Sequence, residues 1–250
     1  MSGHNKWAKI KHKKAATDAA KGRVFTRLIK EITLAARMGG GDEASNARLR
    51  KAIQDAKASN MPASNVERAI KKGTGELEGV NYEEVAYEGY GPGGVAIIAE
   101  LITDNKNRAV SEIRHIFSKH GGNLASAGAV SWKFDKKGVI SIAPGGKSED
   151  DIMMVALDAG AEDIKYDPES TEILTAPSDL ETVKGAVEKQ GLKIEKAEVS
   201  LYPKDMVKVE GKEAEQLLRL LDAIEENEDI QKIHSNGDIA AEAIAKFSEA

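Results

Sequence analysis

The chain has 250 residues, of which 41% are hydrophobic and 31% are charged, with no cysteine and a net charge of -5. The lack of cysteine excludes disulfides, thiolate zinc sites and cysteine nucleophiles, and it suits a reducing cytosol, so we expect a cytoplasmic protein. The longest apolar runs are only strand-sized and the N-terminus lacks the apolar segment of a secretory signal, so neither a membrane span nor export is predicted.

The charge is distributed unevenly along the chain. Residues 1–72 hold 17 Lys and Arg against 6 Asp and Glu, a balance of +11. The remaining residues hold 19 against 35, a balance of -16. Such asymmetry favours a polyanion partner for the N-terminal part, although a solvated, Lys-rich helix surface would give the same composition.

The first 16 residues are rich in lysine and contain no acidic residue. Because like charges at this density oppose compaction, we expect a mobile arm. The indole of Trp7 could stack on an exposed base or dock on the helices that follow, and the sequence leaves both open. The candidate nucleic-acid contacts in this arm are Lys6, Trp7, Lys9, Lys11, Lys13 and Lys14.

Three amphipathic helices are predicted next. The first carries apolar residues at 3/4 spacing from Val24 to Ala36 and ends at the glycines 39–41. The second covers about residues 45–59, and the third begins at the capping box Ser64-x-x-Glu67 and stops at Gly73. Three short helices of this kind make a small bundle.

A basic ridge lies opposite the apolar stripe of the first helix. Arg23, Arg27, Lys30 and Arg37 fall within about 80° of one another at 100° per residue, with Leu34 as the one apolar misfit. Because Lys and Arg neutralise phosphates, we expect this side to contact a nucleic-acid backbone. The candidate contacts are Lys21, Arg23, Arg27, Lys30 and Arg37 on the first helix and Arg48, Arg50 and Lys51 on the second.

From residue 82 the pattern changes to strands alternating with helices. Residues 82–90 and 94–103 predict a hairpin turned by Gly91-Pro92-Gly93, followed by a helix over 108–120 and a strand near 129–134. The order βαββαβ within residues 136–202 is that of a ferredoxin-like unit. A strand over 206–210, a helix over 214–226 and a strand over 229–235 would complete a second such unit with the elements before residue 135.

We therefore predict an α+β protein with an N-terminal three-helix domain followed by two ferredoxin-like α/β domains. The predicted bounds are 1–78 for the helical domain, 79–135 with 203–250 for a discontinuous α/β domain, and 136–202 for a domain inserted into it. Consecutive, non-nested domains are the alternative.

Other motifs carry little chemistry. Tyr87–Gly94 resembles a nucleotide fingerprint but leads into a strand rather than a helix, so a hairpin turn is the better interpretation. The segment 141–148 is one residue short of a P-loop, and the acidic residues that follow would repel phosphate. The spacing of His115 and His120 suits no helical metal pair, and the acidic run 225–229 is typical of a solvated helix end. We expect no catalytic site, metal, cofactor or small-molecule substrate.

The polar loop 104–108 allows two interpretations. The loop could cap the helix that follows, or Lys106 and Arg108 could form a secondary contact with RNA or a ribosomal surface. The sequence favours the cap.

Several residue strings resemble those of the YebC/PmpR family. They are Gly3-His4-Asn5-Lys6-Trp7, Lys13-Lys14-Ala15-Ala16-x-Asp18-x-x-Lys21-Gly22, Asn46-x-Arg48-Leu49-Arg50, Asn60-Met61-Pro62, Tyr87 to Gly94, Thr103 to Arg108 and Gly121-Gly122-Asn123-Leu124. The resemblance implies three domains, the third inserted in the second. Two departures are Glu43, where the family usually has proline, and Ala125-Ser126-Ala127, which replaces a more polar stretch and weakens any binding role for that loop.

The resemblance implies a regulator of gene expression. Bacterial members are usually described as DNA-binding transcriptional regulators, whereas others, including a mitochondrial relative, act in translation at the ribosome. We therefore expect a nucleic-acid-binding, non-enzymatic regulator, monomeric by default, with a ribosome-binding translation factor as the alternative and a protein-interaction adaptor as a third hypothesis. The flexible arm and the lack of an evident base-reading helix-turn-helix favour structured RNA, while the family description favours transcription.

Overall fold

The structure is a computed structural model that describes residues 18–143, 148–166 and 171–249. A helical region comes first, and two four-stranded antiparallel sheets with their helices follow. The predicted α+β fold class is therefore confirmed. No helix in the described ranges is long and apolar enough to cross a bilayer.

Three helices form the helical region: α1 (Asp18–Gly39), α2 (Ala47–Ala58) and α3 (Ala63–Thr74). Their apolar stripes meet in one cluster because the 3/4 spacing places those residues on one face of each helix. Gly40 follows α1 with a φ of +84°, a conformation that glycine adopts without strain. The core residues of the cluster include Ile32, Ala35, Leu49, Ile53, Val66 and Ala69.

The predicted ends of α3 are wrong at both termini. The helix begins at Ala63, directly after Pro62, so Ser64 lies inside the first turn and no side chain caps the helix. At the other end the helix continues through Gly73 to Thr74, and Gly75 ends it with a φ of +86°. Gly73 serves packing instead, because a Cβ there would clash with the Thr33 carbonyl oxygen of α1.

The first sheet packs on two helices of the same unit. The elements are β1 (Glu83–Tyr90), β2 (Ala96–Thr103), α4 (Lys106–Lys119), β3 (Asn123–Leu124), α7 (Gly211–Glu226) and β9 (Ile230–Ser235). The strand order is β3-β1-β2-β9. The predicted hairpin is confirmed, since β1 and β2 pair in antiparallel register around a 3-10 turn at Pro92–Gly94. One face of the sheet packs on α4 and α7 through Ile97, Leu101, Phe117 and Leu217.

The second sheet is built from the chain between β3 and α7. Its elements are β4 (Phe134–Ile142), α5 (Glu149–Asp158), β5 (Ala161–Lys165), β6 (Thr171–Thr175), α6 (Leu180–Lys189) and β7 (Ile194–Pro203). The strand order β5-β6-β4-β7 is that of the predicted ferredoxin-like unit. Phe134 at the start of β4 pairs with Pro203 at the end of β7, so the chain enters and leaves this unit at one place. The domain bounds at residues 78, 135 and 203 stay a prediction.

Two strands predicted for the first sheet are not there. Residues 129–133 form a loop with a 3-10 turn, because the Glu88 carboxylate accepts hydrogen bonds from the backbone N–H groups of Gly128, Val130 and Ser131 at 2.7–2.9 Å. The strand β8 (Val207–Val209) pairs in parallel with β10 (Gly237–Ile239) in a separate two-stranded sheet. The chain then ends in α8 (Ala241–Glu249), whose Ile244 is buried in the core under the first sheet.

Candidate nucleic-acid interface

The predicted arm lies outside the described residues. This applies to every arm candidate, namely Lys6, Trp7, Lys9, Lys11, Lys13 and Lys14, and also to Pro144–Lys147 of the near P-loop segment. Ser148 directly after that segment forms a capping box with Asp151, as its position before a helix predicts.

The centre of the basic ridge packs against the protein's own acidic residues. The Lys30 ammonium lies 2.5 Å from an Asp229 carboxylate oxygen and donates to the Glu228 carbonyl oxygen at 2.9 Å. Arg27 donates to the Glu225 carbonyl oxygen, and its guanidinium lies 3.8 Å from the Glu225 carboxylate. The Lys30 side chain is only 9% exposed. In this structure Arg27 and Lys30, both predicted as nucleic-acid contacts, therefore face the protein's own acidic residues.

Leu34 lies on the covered side of α1. It is the single apolar residue in the basic ridge, and its exposed fraction is only 5%. Single leucines are common on protein surfaces, so it is the burial of Leu34 that shows this face to pack against protein. The ends of the basic ridge differ from its centre, since Arg37 is exposed and Arg23 is half-buried.

The partner of the basic ridge is an acidic turn, residues 225–229, at the end of α7. Asp229 is 3% exposed, so the expected solvated helix end is wrong for this residue. Its carboxylate also accepts from the Thr103 hydroxyl at 2.8 Å and from Arg108 at 2.9 Å. Burial by itself would raise the pKa of Asp229, but the hydrogen bonds from Lys30, Arg108 and Thr103 outweigh it and hold that pKa below its usual value.

The acidic turn is placed where the helix dipole opposes it. The last turn of α7 carries no basic residue, and Glu225, Glu226 and Glu228 lie at or just beyond this C-terminal end. The C-terminus of a helix is its negative pole, and a like charge there costs roughly 0.3–1 kcal/mol. The cations of α1 offset this cost.

Two of the three candidates on α2 are paired with carboxylates. Arg48 donates to both carboxylate oxygens of Glu31, at 2.7 and 2.9 Å, and to Glu84 at 2.5 Å, and these bonds raise its pKa. Lys51 pairs with Asp55 one helical turn away. Arg50 donates only to the carbonyl oxygens of Glu43 and Ala44, so its charge has no carboxylate partner among the described residues.

The secondary contact residues are also paired. Arg108 lies 2.7 Å from an Asp104 carboxylate oxygen as well as against Asp229, and Lys106 pairs with Glu83. The Asn105 side chain accepts from the Arg108 backbone N–H at 3.0 Å, so the capping interpretation of this loop is confirmed. In this conformation carboxylates compensate both cations.

Cations on α3, absent from the predicted contacts, are not paired with carboxylates among the described residues. Arg68, Lys71 and Lys72 share one side of α3 at i, i+3 and i+4 spacing, and none pairs with a carboxylate in the described ranges. Arg37 joins them, because it donates to the Val80 carbonyl oxygen while Lys72 lies against Gly79 of the same segment. We call Arg37, Arg68, Lys71 and Lys72 the α3 patch. The helical spacing of its three α3 residues is the sequence signal that indicates it.

The described residues contain no group of three or more His, Asp or Glu side chains arranged to hold a metal ion. Asp229, the buried carboxylate of the acidic turn, is instead held by hydrogen bonds from protein groups.

Two family models cover most of the chain. The model of the TACO1/YebC protein N-terminal domain matches residues 5–76, and the model of the TACO1/YebC second and third domain matches residues 82–237. The chain belongs to the TACO1/YebC family. The resemblance seen in the sequence is thereby confirmed, and the matched segments meet between α3 and β1.

Relatives within the TACO1/YebC family are similar over their full length. A protein of Desulforapulum autotrophicum named a probable transcriptional regulatory protein is 60% identical over 97% of this chain and 98% of its own. One of the same description from Sulfurihydrogenibium is 58% identical over 99% of both chains. The crystal structure of a conserved hypothetical protein from Aquifex aeolicus superposes with a TM-score of 0.78 at 46% identity, covering 89% of this chain and 92% of the other.

Proposed function

We propose that this member of the TACO1/YebC family is a transcriptional regulator that binds DNA through its helical region. The observation that carries the proposal is the positive charge on α1–α3 that intramolecular ion pairs leave uncompensated. Among the described residues, the cations of this region without a carboxylate partner are Lys21, Arg23, Arg37, Arg50, Lys57, Arg68, Lys71 and Lys72.

Uncompensated cations on one region favour a polyanion. Binding of lysine and arginine to phosphates releases counterions from the nucleic acid, which drives association and makes it sensitive to salt. The lysines of the α3 patch act as point charges and do not select a base. We therefore expect contacts to the backbone to dominate affinity, with little discrimination between sequences by these side chains. The names of the relatives as transcriptional regulators support duplex DNA as the ligand.

The test compares two triple variants of equal charge change. In the first, Arg68→Glu, Lys71→Glu and Lys72→Glu reverse the α3 patch. In the control, Lys189→Glu, Lys193→Glu and Lys212→Glu reverse exposed lysines outside the helical region. Anisotropy with labelled duplex DNA should show weaker binding by the first variant alone, with a salt slope smaller by about 1 for each phosphate that is no longer neutralised. Equal weakening in both variants would contradict the assigned surface.

A second comparison separates transcription from translation. Sedimentation with ribosomes and mobility shifts on genomic DNA are measured with the full chain across one salt series. Tight binding to one promoter fragment, with random DNA competing poorly, would support transcriptional regulation. Retention on ribosomes at salt concentrations that abolish DNA binding would overturn this proposal in favour of a translation factor.

A further inference from the structure

The contact between the basic ridge and the acidic turn matches the chemistry of phosphate recognition. Lys30 has two oxygens within hydrogen-bond distance, one from the Asp229 carboxylate and one from the Glu228 carbonyl. Arg27 faces the carbonyl and the carboxylate of Glu225. Ammonium and guanidinium groups bind phosphate oxygens in the same manner, through charge-assisted hydrogen bonds.

We propose that the acidic turn is an internal competitor that occupies the basic ridge, and that DNA phosphates displace it, exposing Arg27 and Lys30 as a second binding surface. This inference rests on the proposed DNA binding and adds its regulation. DNA first contacts the α3 patch and Arg23. The centre of the basic ridge then binds DNA as well, once the helical region has moved away from α7.

The hydrogen bonds of Asp229 make such an opening feasible. A buried carboxylate that loses its only partner is strongly destabilising. Asp229, however, keeps the Thr103 hydroxyl and Arg108 when Lys30 leaves, because both belong to the same α/β unit as the acidic turn. Opening therefore leaves the buried Asp229 carboxylate with two of its hydrogen-bond partners.

The packing between the two parts also permits motion. The apolar cluster of α1–α3 shares no residue with the cluster beneath the first sheet. Between them lies a cleft of about 600 Å³ lined by polar and charged side chains, including Thr26, Asp104, Glu112 and Glu226. Interfaces between domains that are not large and hydrophobic generally allow relative movement. Here the movement also breaks the Arg48–Glu84 ion pair and exposes Leu34.

The position of the acidic turn also supports the proposal. Carboxylates at the C-terminal end of a helix oppose its dipole, so they do not stabilise α7 by themselves. Residues that are locally unfavourable, as acidic residues are at a helix C-terminus, commonly make a contact or have a function elsewhere in the molecule. Here the contact is the basic ridge.

The first test weakens the competitor. The double variant Glu225→Gln with Asp229→Asn removes the two carboxylates that face the basic ridge. The matched control is Glu226→Gln with Glu228→Gln, which makes the same charge change in the same turn. Both side chains are exposed, and neither forms a hydrogen bond or ion pair with the basic ridge. We expect the first variant to bind duplex DNA about fivefold or more tightly than the wild-type chain, a typical size for such coupling. An equal gain in affinity in the control would show that removing acidic residues only lessens their repulsion of DNA, and it would overturn the inference.

The second test uses the wild-type interface and therefore does not depend on how the variants fold. Because the chain has no cysteine, Glu67→Cys on α3 and Glu215→Cys on α7 can be spin-labelled selectively. The distance between the labels should lengthen when duplex DNA is added. If DNA binds and the distance stays constant, the displacement is wrong while the proposed function stands. If no DNA binds at any salt concentration, the proposed function fails first.

Discussion

Asn46 shows how one side chain can join two helices. Its amide nitrogen donates to the carbonyl oxygens of Ala35 at 2.8 Å and Gly40 at 2.9 Å, at the end of α1. Its amide oxygen accepts from the Leu49 backbone N–H at 3.0 Å and caps α2. The residue is 7% exposed, so its side-chain amide is largely shielded from water.

Replacing Asn46 should therefore destabilise the helical region. We expect Asn46→Ala to lower the free energy of unfolding by about 1–3 kcal/mol, since the cap of α2 and the two hydrogen bonds to the end of α1 are lost. The control is Asn107→Ala, at an exposed asparagine whose side chain makes no hydrogen bond within the described ranges. Chemical denaturation measures both variants, and equal midpoints would contradict the assigned role.

Asp229 gives the contact between the basic ridge and the acidic turn a pH dependence. Its pKa in the folded protein lies below the unfolded value of about 3.9. The stabilisation is therefore complete above about pH 4 and disappears as the pH falls through the folded pKa. The free energy of unfolding of the wild-type chain should exceed that of Asp229→Asn at pH 7, and the gap should shrink at pH 3. A gap that does not change with pH would show that the ionised carboxylate contributes nothing.

At the scale of residues, the sequence shows which face of a helix is charged, but it does not show which residues pair with those charges. Arg27 and Lys30 are recognisable as cations on one face, but their acidic partners lie 198 and 199 residues further along the chain. Helical periodicity reports which side of a helix is polar and does not report what covers that side. Leu34 is the one apolar residue on that face, and the structure shows that it is buried.

At the scale of elements, two glycines within helices differ in whether a side chain would fit. A Cβ at Gly73 would clash with the Thr33 carbonyl oxygen and lie 2.7 Å from the Ala36 Cβ, whereas a Cβ at Gly185 in α6 would meet nothing within 4 Å. Alanine favours a helix over glycine by about 1 kcal/mol. Gly185→Ala should therefore raise the melting temperature.

Gly73→Ala should act in the opposite direction. The added methyl group must push α3 away from α1, and overpacking of this kind costs about 1–3 kcal/mol. Thermal unfolding of the two alanine variants side by side checks the pair. A stabilised Gly73→Ala protein would mean that α1 and α3 pack less closely than the structure shows.

Most elements are predictable because their patterns are local. The helix over 149–158 and the ferredoxin-like order of residues 136–202 follow from hydrophobic spacing and capping residues. The strand expected near 129–134 is wrong because the Glu88 carboxylate, about 40 residues away, holds that segment as a loop. The strand β8 belongs to a different sheet from the one predicted, since its pairing with β10 depends on how distant strands meet.

For the whole molecule, charge segregation has two consequences. The opposite charges bind one another across the contact between α1 and the acidic turn, and this contact occupies part of the basic ridge. The charge that remains lies on the α3 patch and at the ends of α1, where the basic region presents it to a partner. The sequence predicts the basic region but not which of its cations are free.

Phosphate binding by the free cations is the central claim about this protein. Its most direct test is the slope of the logarithm of the DNA association constant against the logarithm of salt concentration, measured for the full chain with duplex DNA. Neutralising phosphates gives a slope of about -0.9 for each contact, so we predict a steep negative slope of several units. A slope near zero, or no measurable binding at low salt, would contradict phosphate binding by these cations.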